Sequence, residues 1–255
     1  VFNWLRDKLP SFSAQPQTQG ISPPIPHPDP LGAVHWLEAN DPANPFGVKI
    51  VNCFSTAMGL LSVTESNKIA SSYGRLRSDN GHRYLGSLPK NPITVDCDLK
   101  YSATIRPADG PLHLSARMED KWDIFLHEGH LYFSRSWTGE LVHTANLVFT
   151  EDSMIVRQVS AIQDRAWGNP TMAIRQVDFL IKCLLFDGVL PAPLPPGEAV
   201  EDTKFLAIHL FGEYGRHAIA GTYEDTLPIA GLRSDQPRDS KFWADLFQPS
   251  NGLIP

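Results

Sequence analysis

A chain of 255 residues, 42% hydrophobic and 20% charged, is long enough to bury a core and too apolar to stay a disordered polymer. Its 22 Lys and Arg stand against 28 Asp and Glu, a formal net charge of −6, which sets aside nucleic acid and anionic membrane surfaces as partners. The three cysteines, Cys53, Cys97 and Cys183, are widely spaced, so they read as reduced thiols of a cytoplasmic protein rather than a disulfide framework.

The first nine residues lack a cationic segment followed by an apolar one, so they do not read as a secretory signal. Phe2, Leu5 and Leu9 follow helical spacing with Trp4 beside them, the pattern of a short amphipathic helix that must dock on something. Seven prolines follow between Pro10 and Pro30, and their fixed φ and missing N–H groups predict an extended tether. Residues 1–30 thus read as an arm and 31–255 as a single domain. No run of about eighteen apolar residues occurs, so no membrane span is expected.

Beyond the arm, a short helix is expected over 31–39 and a strand over 47–52. Ser62-Val63-Thr64-Glu65 has capping-box spacing, which predicts a helix reaching Arg77 and ending at the turn Asp79-Asn80-Gly81. Over 94–105, Val95, Cys97, Leu99 and Tyr101 alternate with Asp96, Asp98 and Lys100, as in a half-buried strand.

The most informative stretch is 121–139. A two-residue turn at Glu128-Gly129 sets His127 opposite His130, Ile124 opposite Phe133 and Trp122 opposite Arg135. Trp122, Ile124, Leu126, Leu131 and Phe133 then share one face, and Arg135 shares it with them. A guanidinium there needs the Trp122 ring and further acceptors, because a buried unpaired charge costs several kcal/mol. Three roles are open to it: a strut beneath Trp122 and Trp137, an anion clamp, or the anchor of a protein contact. The run LYFSRSWTGELV, with Trp122 upstream and VDFLIKCLL downstream, resembles bacterial proteins carrying an aromatic-R-S-W-T-G signature. That resemblance spans about 121–186, implies a bacterial-type cytosolic origin, and brings no activity or catalytic residue with it.

A further turn at Thr138-Gly139 leads to strands over 140–150 and 154–160. Asn169 and Pro170 then open a helix over 171–186 that Gly188 ends. Two strands, 204–210 and 217–223, are expected around Gly212-Glu213-Tyr214-Gly215. The fold class read from this order is α+β, a central antiparallel meander packed against helices, with the proline-rich arm in front.

Local motifs for nucleotide, flavin, zinc or serine-hydrolase chemistry are absent, so no cofactor is expected. Cys53, after a strand and before a possible helix, is the one nucleophile candidate, against the plainer reading of an inert buried thiol. His209, Glu213 and His217 would form a metal face on a helix, but the flanking glycines argue for a turn and for no metal. His127 and His130 read as exposed loop histidines, and Asp96 and Asp98 as a solvated strand face. Arg75, Arg77, His82 and Arg83 are the basic cluster, suited to a helix C-terminus or, if Arg135 lies near, to an anion.

The leading expectation is a cytoplasmic, non-catalytic protein-binding or regulatory domain. It would use Arg135, Trp122, Trp137, Arg75, Arg77 and Arg83 as its binding surface and Phe2, Trp4, Leu5 and Leu9 to dock a protein partner. The second is a hydrolase or transferase acting on an anionic small molecule held by those arginines, with Cys53 for the chemistry.

Overall fold

The structure is a computed structural model that describes residues 34–197 and 200–232. Expectations for the arm, including docking by Phe2, Trp4, Leu5 and Leu9, lie outside the described residues. The fold is α+β. Its strands form a six-stranded antiparallel sheet and a second sheet of four strands.

The large sheet is a meander of β4 (Gly110–His113), β5 (Trp122–His127), β6 (His130–Arg135), β7 (Leu141–Phe149) and β8 (Ser153–Ile162), with β3 (Pro92–Ser102) beside β8. The β5–β6 hairpin has the register anticipated from its turn, Trp122 opposite Arg135 through His127 opposite His130. Glu128 and Gly129 both take positive φ, 48° and 75°, the geometry that makes a two-residue loop match strand twist. β3 keeps its alternation but carries a bulge between Asp96 and Leu99.

β3 and β4 lie at opposite edges of this sheet, about 24 Å apart if it were flat. Residues 103–109 join them. Helix α3 (Pro170–Leu180) packs against β3, β7 and β8, and its π-helical continuation Ile181–Leu185 touches β4 at the opposite edge. Asn169 caps α3 by accepting from the N–H groups of Thr171 and Met172, with Pro170 at the first helical position.

The small sheet joins β1 (His35–Leu37), β2 (Ile50–Asn52), β9 (Ala192–Pro193) and β10 (Ala220–Thr222). Where a helix was expected over 31–39, residues 35–37 are a strand paired with β2. The Ser62 capping box is not used either. Between the short helix α1 (Phe54–Gly59) and helix α2 (Asn67–Leu76), residues 60–66 run without regular structure, and Ser66 caps α2 through the Ile69 N–H.

The largest correction falls at 203–214. The expected strand over 204–210 is helix α4 (Thr203–Tyr214), capped by Asp202, and Gly212 lies within it. Phe205, Leu206, Ala207, Ile208, Leu210 and Phe211 surround this helix on most sides, so no single apolar stripe announces it. One continuous core then links both sheets: Val51 and Cys53 pack in the same cluster as Trp122, Phe133, Val177 and Leu210.

Candidate functional site

The hairpin places Arg135 on the oily face as expected, its guanidinium 4.8 Å from the Trp122 ring centre. Its polar partners lie at the C-terminal end of α4. Nη1 donates to the Glu213 carbonyl at 2.7 Å, Nη2 to the Gly212 carbonyl at 2.8 Å, and Trp122 Nε1 to the Glu213 carbonyl at 2.8 Å. A helix end leaves its last carbonyls without intrahelical donors, and these two side chains supply them. The Glu213 side chain lies between two guanidiniums, 3.5 Å from Arg135 and 3.2 Å from Arg165, and Arg165 also reaches Glu140 at 3.3 Å. Burial alone would raise the Glu213 carboxyl, but Arg135 and Arg165 together hold it below its ordinary value.

Three further residues of the R-S-W-T-G run make closing contacts. Ser136 Oγ donates to the Asp120 carbonyl and Trp137 Nε1 to the Met118 carbonyl, each at 2.7 Å. Gly139 takes φ 69° and returns its N–H to the Arg135 carbonyl.

Arg77 faces the other side of the sheet. It forms a bidentate pair with Asp123 at 3.0 and 2.7 Å and also donates to the carbonyls of Ser115, Ser136 and Tyr73, so its fork is fully occupied. Asp123 lies next to Trp122 along β5, and neighbours on a strand point to opposite faces. The arginine cluster and Arg135 are thus divided by the sheet and do not build one anion pocket. Arg75 and Arg83 do converge. With Ser72, Leu76 and Asp79 they line an open cleft of about 320 Å³ on the outer face. Arg83 is paired with Asp79 at 2.9 Å, whereas exposed Arg75 has no acidic partner among the described residues.

Cys53 does not have the features of a nucleophile. It is fully buried, precedes a helix of only six residues, and its thiol is pushed up to about 12 by burial. His209 and Glu213 share a face of α4, as a helical reading of that segment requires, but Glu213 is taken by arginines. Among the described residues no group of three His, Cys, Asp or Glu side chains could hold a metal. Asp96 accepts from Gln158 and Asp98 pairs with Arg157 on the exposed edge. His127 bonds the Asn80 carbonyl at 2.8 Å, and His130 contacts the Glu128 carbonyl at 3.1 Å.

Two constellations escape sequence reasoning. His143 of β7 lies buried against Trp122, ring centres 5.4 Å apart, with neither ring nitrogen hydrogen-bonded among the described residues. Ser62 and Lys121, 59 residues apart, meet with Nζ 2.6 Å from Oγ. The strand register of β6 and β7 would have revealed the first, since His143 faces Phe133. Nothing local signals the second.

No protein-family model, curated protein or solved structure matches this chain. No helix among the described residues is long and apolar enough to cross a membrane.

Proposed function

We propose that the chain is a cytoplasmic partner-binding or regulatory domain whose outer cleft takes the carboxylates of an acidic protein segment. The observation that carries this reading is Arg75: a solvent-exposed guanidinium with no acidic partner among the described residues, across a cleft from the half-exposed Arg83. A planar fork is suited to carboxylate recognition, and the cleft holds two guanidiniums against the single carboxylate of Asp79. Exposed Leu85 and Leu88 follow the 3-10 turn His82–Tyr84 that carries Arg83. The cytoplasmic assignment rests on three cysteines, none joined in a disulfide.

Fluorescence anisotropy of a labelled Asp/Glu-rich peptide, at low and high salt, tests the reading. Wild-type protein binds and weakens with salt, while the double variant R75E/R83E loses about tenfold or more in affinity. Equal binding by that variant, with its fold intact, overturns the proposal.

A further inference from the structure

Lys121 lies just before β5 and is almost wholly buried, at 8% exposure. Its ammonium donates to Ser62 Oγ at 2.6 Å and to the Met118 carbonyl at 3.0 Å, and it lies 4.7 Å from the Trp137 ring centre and 5.2 Å from that of Phe211. Among the described residues no carboxylate lies within ion-pair distance of it. The adjacent Glu119 instead accepts the Ser62 N–H at 2.9 Å. A buried lysine without a counter-ion loses the solvation of its charged form and becomes a base. Burial and the neighbouring Arg135 draw Lys121 down to about 8, against opposing pulls from Glu119 and Asp120. The neutral amine next to the Ser62 hydroxyl is thereby easier to reach than in a solvated lysine. Ser62 is half-buried on the irregular segment 60–66, and its two neighbours, Leu61 and Val63, are 66% and 75% exposed.

We propose that Ser62 and Lys121 form a nucleophile–base dyad that hydrolyses carboxylic esters with an apolar acyl group, the acyl chain lying against Leu61 and Val63. Lys121 Nζ takes the hydroxyl proton as Ser62 Oγ bonds to the acyl carbon and the carbonyl electron pair moves to oxygen. Collapse breaks the bond to the alcohol, which leaves with the proton from Lys121. A water molecule, deprotonated by Lys121, then adds to the acyl carbon and expels Ser62 Oγ, which recovers its proton. Ester and water become acid and alcohol. Neither Ser62 nor Lys121 is among the residues lining the Arg75–Arg83 cleft.

The full chain incubated with an alkyl fluorophosphonate, followed by intact and peptide mass spectrometry, tests the assignment. The expected result is one adduct, on Ser62, forming at a rate that rises with pH through about 8. It is absent in Ser62→Ala and at least tenfold slower in Lys121→Arg, which keeps the charge and the aromatic contacts but holds its proton. No adduct on Ser62, or an undiminished rate in folded Lys121→Arg, overturns the proposal. Should Lys121→Arg fail to fold, the wild-type pH profile decides alone, and a flat profile is equally fatal.

Discussion

His143 is a titratable side chain placed where its charged form has no support. Burial pushes it down from 6.5 to about 3, with Glu213 pulling it up and Arg165 and Arg135 pushing it down. The unfolded chain binds a proton near pH 6.5 and the folded chain only near 3. Between those values the unfolded state carries the extra proton, so stability falls as pH falls. The contribution approaches about 1.4 kcal/mol per pH unit within that window. Urea titrations at pH 7, 5.5 and 4.5 should show the wild type losing stability faster than His143→Leu, which cannot titrate. Parallel losses in the two proteins would remove His143 as the cause.

Among the elements, α4 depends most on how it ends. Gly215 follows it with φ 65°, and a Cβ built there would lie 1.8 Å from the Glu119 carbonyl oxygen. That contact is with backbone, so no side-chain rotation relieves it. Gly215→Ala combines left-handed strain with this clash and should cost more than about 2 kcal/mol, read as a lowered thermal midpoint. Gly47→Ala has the strain alone, since nothing lies within 4 Å of its would-be Cβ, and serves as the comparison. Equal losses at both positions would show that the clash contributes nothing. Legibility also divides at this scale. The β5–β6 hairpin and α3 could be read because their turn and cap residues sit next to the segments they define. α4 could not, because apolar residues on most sides give no helical period and Gly212 and Gly215 suggested a reversal.

Over the whole molecule, α4 joins the two sheets. It packs on α1, β2 and β10, while its C-terminal carbonyls are held by Trp122 and Arg135 of the large sheet. Arg135→Met removes one partner of a part-buried pair, leaves Glu213 with Arg165 alone and takes a donor from the helix-end carbonyls, a change worth about 1–3 kcal/mol. Hydrogen exchange should then rise first in amides 206–214, while β7 and β8, paired along most of their length, keep their protection. Uniform loss of protection across both sheets would mean that the clamp is not local to the helix end.

The local chemistry of the chain determined the α+β class, the hairpin register and the Trp122–Arg135 pairing, because strand periodicity and turn residues act over a few positions. It also marked Arg135 as needing partners. Only the tertiary structure decided which ones: carbonyls of a helix 77 and 78 residues later in the chain. The same folding divided Arg77 from Arg135, opened the Arg75–Arg83 cleft and brought Ser62 to Lys121. Such contacts follow from how distant elements close on a shared core, and no spacing along the chain encodes them.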